Sequence, residues 1–95
     1  GVKSLIESNF KSIIYLNLTR NSVEDKGIYY LSQCNFKNLK DLRLSYNGIT
    51  DAGIENLINC DFNELEYLEI EGNDITDYGF ELLTKCNFKN LIGLD

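Results

Sequence analysis

The sequence contains no histidine, tryptophan, methionine or proline, and these absences limit what the chain can do. Histidine is the usual general base near neutral pH and the commonest metal ligand, so its absence argues against most enzymes and metal sites. No apolar run approaches the roughly 18 residues that a membrane-spanning helix needs. Only 9 of the 95 residues are basic against 15 acidic ones, and this balance disfavours nucleic acid or an anionic membrane as a partner. We therefore expect no catalytic residue, no cofactor and no metal ion.

Three cysteines are present, Cys34, Cys60 and Cys86, and they are evenly spaced along the chain. A zinc site needs short Cys-x-x-Cys spacings or histidine partners, so this spacing argues against a metal centre. A small secreted scaffold more often has an even number of irregularly spaced cysteines. Neighbouring turns of a repeat could bring two thiols within disulfide range, but reduced thiols packed in a core fit the pattern better. We expect a cytoplasmic protein.

Five residue types recur along the chain with a single period of 26 residues, which indicates repeated structural units. The recurring residues are the three cysteines, Phe10, Phe36, Phe62 and Phe88, Asn21, Asn47 and Asn73, Asp25, Asp51 and Asp77, and Gly1, Gly27, Gly53 and Gly79. The period predicts one domain, in which a partial repeat at 1–9 precedes full repeats at 10–35, 36–61 and 62–87 and a partial repeat at 88–95 follows them.

Each repeat predicts a short strand followed by a helix. Leu42 and Leu44 alternate with polar residues, which is the period of a strand with one buried face. Apolar residues at i, i+3 and i+4 then mark one face of a helix from Asp51 to Asn59, and Thr50 or Asp51 can cap its start. Neither element can bury its apolar face alone, so the repeats must stack, with parallel strands about 4.8 Å apart.

The recurring asparagine, phenylalanine and glycine each predict a role in this stack. The asparagine side chain can satisfy backbone groups where the chain leaves the strand, with each copy stacking on the next. The phenylalanines fill the space between a helix end and the next strand, and so form a continuous spine. The glycine either lets the chain pass close to its neighbour or supplies a positive φ.

The second repeat carries the pattern L-x-x-L-x-L-x-x-N-x-I from Leu39 to Ile49, and the neighbouring repeats carry it too. This pattern resembles the leucine-rich-repeat family over the whole chain. The second half of the repeat, x-T-D-x-G-Φ-x-x-L-x-x-C, resembles the cysteine-containing subclass of 26-residue repeats. That subclass occurs in intracellular proteins, including the substrate-binding parts of F-box ubiquitin-ligase subunits. Two departures are Ser8 in place of cysteine and Glu24 in place of threonine, and an asparagine stands where the subclass more often has cysteine.

The resemblance implies an α/β fold, a right-handed curved solenoid with parallel strands on its concave face and helices on its convex face. It also implies a protein–protein interaction module, not an enzyme, which binds its partner through the concave strands. The alternative is a substrate-recruiting array of a ubiquitin-ligase-type or GTPase-regulating protein whose active part lies outside these residues.

The outward positions of the predicted strands provide the candidate binding residues. They are Tyr15, Asn17, Thr19, Arg20, Asp41, Arg43, Ser45, Tyr46, Tyr67, Glu69 and Glu71. Tyrosine and arginine are enriched in the residues that dominate protein interfaces, and this favours a protein partner. The competing interpretation is a solvated sheet face that has no ligand in this segment.

Negative charge is concentrated in the third full repeat, where residues 62–87 hold one lysine against seven carboxylates. Glu69 and Glu71 are predicted to point onto the concave face. The pattern indicates either a basic partner or a surface that only keeps the protein soluble.

Neither end of the sequence shows the polar cap that usually closes an array of repeats. Apolar residues occur at both ends, Val2 and Leu5 at one and Leu91 and Leu94 at the other. We therefore expect a piece of a longer array that is able to associate end to end with other copies.

Overall fold

The computed structural model describes residues 13–34, 36–60, 62 and 64–85, together with the backbone of residues 93–94. Within these residues four strands alternate with three helices. The strands are β1 (Tyr15–Asn17), β2 (Asp41–Arg43), β3 (Tyr67–Glu69) and β4 (Gly93–Leu94). The helices are α1 (Glu24–Leu31), α2 (Asp51–Leu57) and α3 (Asp77–Lys85). The predicted order of strand and then helix in each repeat is confirmed.

The four strands form one open parallel sheet in the order β1-β2-β3-β4. Leu16 pairs with Leu42, Leu42 with Leu68, and Leu68 with Leu94. Each step of the sheet therefore advances the chain by one 26-residue repeat, and the equivalent leucines form a column across the strands. We use "column" below for any such set of equivalent residues. The right-handed curve that the resemblance implies is the general rule for such crossovers and stays a prediction here.

The helices pack side by side on the sheet because each presents an apolar face to it. On α2, Ile54 and Leu57 are fully buried, and the hydroxyl of Thr50 caps the helix by accepting a hydrogen bond from the Ala52 N–H at 3.3 Å. Helix α1 has no side-chain cap. Glu24 occupies the position at which threonine precedes α2 and α3, and it takes a positive φ of 59°. The helix predicted to reach Asn59 ends at Leu57.

A single apolar core runs between the sheet and the helices. Phe36 and Phe62 stack within it, with their ring centroids 6.3 Å apart, as the predicted spine requires. Cys34 and Cys60 are half-buried and pack against this core, and burial raises the pKa of the Cys34 thiol. The remaining members of these two columns, Phe10, Phe88 and Cys86, lie outside the described residues.

The last described helix differs from the other two in what covers it. Phe80 on α3 is 41% exposed, whereas Ile28 and Ile54, its equivalents on α1 and α2, are fully buried. Each of the first two helices packs against the helix that follows it, and the described residues contain no helix after α3. The end residues named above, Val2, Leu5, Leu91 and the side chain of Leu94, lie outside the described residues.

None of the helices in the described part of the chain is long and apolar enough to span a membrane.

Candidate functional site

The edge where the chain leaves the strands is held together by asparagine side chains that join one repeat to the next. The Oδ1 of Asn47 accepts hydrogen bonds from the backbone N–H groups of Asn21 and Val23, at 2.8 and 3.1 Å. Its Nδ2 donates to the carbonyls of Leu18 and Ser45, at 2.8 and 3.1 Å. One buried side chain thus satisfies four backbone groups across two repeats, which would otherwise be costly to bury.

Asn73 makes the same connection between the second and third repeats. Its Oδ1 accepts from the backbone N–H groups of Asn47 and Ile49, at 2.9 and 3.0 Å, and its Nδ2 donates to the Leu44 carbonyl at 3.0 Å. The role predicted for the recurring asparagine is confirmed. This ladder fixes the direction in which each strand ends and therefore the positions of the side chains beside it.

A second connection links the start of each helix to the repeat before it. The carboxylate of Asp25 accepts hydrogen bonds from the backbone N–H and the hydroxyl of Thr50, at 2.8 and 2.5 Å. A Cβ placed on Gly53 would lie 2.3 Å from Asp25 Oδ1 and 2.7 Å from the Ile49 side chain. This glycine is therefore needed for the close approach of a neighbouring repeat, and the alternative of a positive φ is not the reason.

The next repeat uses the same arrangement, with Asp51 bound to Thr76 beside Gly79. The hydrogen bonds from the Thr76 hydroxyl and backbone N–H, together with one from the Gly79 backbone N–H, lower the pKa of Asp51, although burial opposes them. Sequence reasoning placed this acid at the start of its own helix. The structure shows that its carboxylate serves the following helix, whose positive end favours a negative charge.

These connections hold the strands in register and present one side of the sheet outward. We call this side the strand face, and it comprises the eleven candidate residues predicted above. Tyr15 is 52% exposed and Tyr46 is 43% exposed. Asn17, Arg20 and Glu71 are also exposed, and Thr19, Asp41, Arg43, Tyr67 and Glu69 are half-buried. Ten of the eleven side chains are therefore at least partly accessible.

Ser45 is the exception, because its side chain is only 1% exposed. Its hydroxyl donates a hydrogen bond to Glu69 Oε1 at 2.8 Å. The expectation that Ser45 offers its own side chain to a partner is therefore corrected: it orients the carboxylate of Glu69. Alternation of outward positions places a residue on a face, but it does not show how far larger neighbours cover a small side chain.

Arg43 lies at the centre of the strand face and contacts residues from all three repeats. Its Nε and Nη2 donate to the two carboxylate oxygens of Asp41, at 3.1 and 3.2 Å, and its Nη1 lies 4.0 Å from Glu69 Oε2. The guanidinium carbon lies 5.4 Å from the ring centroid of Tyr15 and 5.2 Å from that of Tyr67. The hydrogen bond to Asp41 raises the pKa of Arg43. The cation is thus held between two aromatic rings.

A second stacked group lies where the strands end. The guanidinium carbon of Arg20 is 4.3 Å from the ring centroid of Tyr46. The same ring lies so close to Gly72 that a Cβ there would be 2.3 Å from Tyr46 Cδ1. Sequence reasoning placed Arg20 and Tyr46 on one face of the sheet but did not predict that they stack. The only sequence signal for this stacking is that a glycine and a residue with a large ring occupy the same column.

A family model described as Leucine Rich repeat matches three segments of the chain, residues 11–32, 37–57 and 64–83. No curated protein matches the chain significantly. The matched segments cover most of the sequence, and each contains one strand and most or all of one helix of the structure. The chain belongs to the leucine-rich-repeat family.

Proposed function

We propose that this protein binds a partner protein through the strand face, as the concave side of a right-handed solenoid. Leucine-rich repeats generally mediate protein–protein interactions, and the family is typically a non-enzymatic interaction module. The observation that carries the proposal is the position of Arg43 between Tyr15 and Tyr67. Arginine and tyrosine dominate the energetics of many interfaces, especially when they cluster at the centre.

The geometry supports binding because little side-chain freedom remains to be lost at the centre of the face. Arg43 is fixed by two hydrogen bonds to Asp41, and Glu69 is fixed by Ser45. Ordering a flexible side chain at an interface costs about 0.5–1.5 kcal/mol. A face whose side chains are already ordered loses less conformational entropy on binding, so more of the contact energy contributes to the affinity.

The test is a selection of displayed peptides on the folded chain, followed by affinity measurements with purified variants. We expect Tyr15→Ala and Arg43→Ala each to weaken the selected peptides about tenfold, which is about 1.4 kcal/mol. The matched control is Tyr29→Ala, which removes a tyrosine that is 51% exposed on α1 instead of the sheet. Peptides whose affinity is unchanged by both strand-face substitutions would disprove the proposal.

We also propose that the bound segment is basic where it meets the third repeat. Glu71 is exposed and its carboxylate makes no hydrogen bond or ion pair within the described residues, whereas Glu69 already binds Ser45 and lies near Arg43. Replacing Glu69 and Glu71 together with lysine should weaken binding and reduce its salt dependence. Unchanged affinity and salt dependence would leave only a solubilising role for this surface.

A further part of the proposal is end-to-end association with other copies, and the exposure of Phe80 supports it. Its equivalents on α1 and α2 are buried by packing between repeats. Light scattering at increasing concentration should show larger species for the wild type and fewer for Phe80→Lys. A clean monomer at high concentration would contradict the proposal.

In this proposal the chain acts in the cytoplasm and has no catalytic activity of its own. The free thiol of Cys34 supports a reducing compartment, since disulfides form and persist mainly outside the cytosol. Recovery of the protein from a secreted or membrane fraction of its source cells would contradict this location.

A further inference from the structure

We infer that the strand face recognises a segment of mixed charge, in which a carboxylate binds Arg20 and a basic side chain about three residues away faces Glu71. This inference rests on the proposed function and deepens it, because it states the chemistry and the orientation of the bound segment. It follows from which charges on the face are already neutralised and which are left available.

The central charges of the face are already balanced within the protein. Arg43 donates to Asp41 through two nitrogens and lies 4.0 Å from Glu69, which also accepts from Ser45. A partner that used any of these groups would have to replace an existing hydrogen bond. The centre of the face therefore offers mainly ring surface, from Tyr15 and Tyr67, and little free charge.

Arg20 is a cation with a fixed position and available donors. It is exposed and stacks on Tyr46 at 4.3 Å, and its guanidinium makes no hydrogen bond or ion pair with any residue that the structure describes. A guanidinium presents its N–H groups in a planar fork that matches both oxygens of a carboxylate. Because Tyr46 holds the plane in place, this fork is already arranged for such a ligand.

The backbone takes the left-handed conformation at this column in each of the three repeats. Arg20 and Tyr46 have positive φ values of 60° and 57°, a conformation that favours glycine. Gly72, in the same column, takes φ 74° without that strain. The first two repeats thus carry large side chains at a position where the third has glycine, and these two side chains stack on each other on the strand face.

Glu71 supplies the opposite charge at the other end of the face. It is exposed, it extends from the end of β3, and its carboxylate has no partner among the described residues. Arg20 follows β1 and Glu71 follows β3, so their backbones are two strand spacings apart, about 10 Å. An extended peptide advances about 3.3 Å per residue, so a segment crossing the strands places complementary charges about three residues apart.

The same display selection tests this inference when the enriched sequences are aligned. We expect an acidic residue and a basic residue at a spacing of two to four, in one preferred order. Arg20→Gln should weaken the selected peptides about tenfold, and it should have no effect once their acidic residue is replaced by its amide. Glu71→Gln should behave in the same way toward the basic residue. Lys26→Gln and Asp77→Asn, which remove exposed charges on α1 and α3, are the matched controls.

The sharpest arm of the experiment exchanges the two charges. Selection on the double variant Arg20→Glu with Glu71→Arg should reverse the preferred order of the acidic and basic residues. Peptides that require Tyr15 and Arg43 but show no paired charges, or keep their order on the exchanged variant, would overturn the inference and leave the proposed function intact. Peptides indifferent to Tyr15 and Arg43 would instead contradict the proposed function.

Discussion

The interior columns and the strand-face columns of this protein lie one residue apart in the sequence, yet they follow opposite rules. The interior column at Leu16, Leu42 and Leu68 has the same residue in every repeat. The next column along the strands holds asparagine, arginine and glutamate, at Asn17, Arg43 and Glu69. Identity between repeats marks the positions that build the solenoid, and difference marks the positions that are free to specify a partner.

The rule has a physical origin in what each side chain meets. An interior residue packs against copies of itself above and below, so one good solution serves every repeat, as Asn47 and Asn73 show. A strand-face residue meets solvent on one side and different neighbours on the other. Arg43 lies between two tyrosines from the neighbouring repeats, whereas its own column has asparagine and glutamate in those repeats.

The largest effect should come from breaking an interior column at its asparagine. Asn47→Ala leaves two backbone N–H groups and the Leu18 carbonyl without a partner, while the Ser45 carbonyl keeps the hydrogen bond from the Arg20 N–H. At roughly 1–3 kcal/mol for each buried group left unsatisfied, we expect a loss of about 3 kcal/mol or more in the free energy of unfolding, measured with urea. Asn21→Ala is the control, since among the described residues that exposed side chain donates only to the Thr19 carbonyl, and its loss should cost less than about 1 kcal/mol. Equal losses for the two variants would contradict the argument.

The next effect concerns the glycine that faces the carboxylate of the preceding repeat. Gly53→Ala places a Cβ 2.3 Å from Asp25 Oδ1, and overpacking of this kind costs about 1–3 kcal/mol. The same substitution should cost less when Asp25 is already alanine, because the first of the two close contacts is then absent. A double-mutant cycle that gives no coupling between these two positions would show that the glycine is needed for another reason.

The comparison also shows how far sequence could predict this structure. The columns that contain Leu42, Phe36 and Asn47 were predictable because the same residue type recurs at a fixed interval along the sequence. Stacking of the repeats is the only arrangement that buries each of these copies equally. The partner of Asp25 was harder to predict, since Thr50 lies 25 residues away and the acid also suits the start of its own helix. The only sequence signal for the contact between Asp25 and Thr50 was the constant spacing between aspartate and glycine in each repeat.

The strand face was predictable as a set of positions and not as a set of contacts. Alternation placed Arg43 and Ser45 on one side of the sheet, but it could not say that one is held between two rings and the other is buried. Those outcomes depend on side-chain size and direction in three different repeats. The repeat period does not predict these contacts, because each repeat contributes a different residue to them.

A smaller effect should appear in the acid dependence of stability. The pKa of Asp51 is lowered from its ordinary value of 3.8, chiefly by the hydrogen bond from Thr76. The ionised form therefore favours folding, and its contribution is present above about pH 4 and is lost as the pH falls through the lowered pKa. We expect the Tm of the wild type to fall more steeply below pH 4 than that of Asp51→Asn, in a thermal melt series. Thr76→Val should lie between the two, because it removes the hydroxyl donor and keeps the carboxylate.

The smallest effect on stability should come from the strand face itself, at Arg20→Gly. Removing a positive φ from a non-glycine residue relieves about 1 kcal/mol or more, and losing an exposed cation–π contact with Tyr46 costs about 0.5–1 kcal/mol. The two terms nearly cancel, so the free energy of unfolding measured with urea should stay within about 1 kcal/mol of the wild-type value. Binding of the selected peptides should fall about tenfold in the same variant. A large loss of stability would mean that Arg20 supports the fold, and the distinction between columns that build and columns that recognise would then fail at this position.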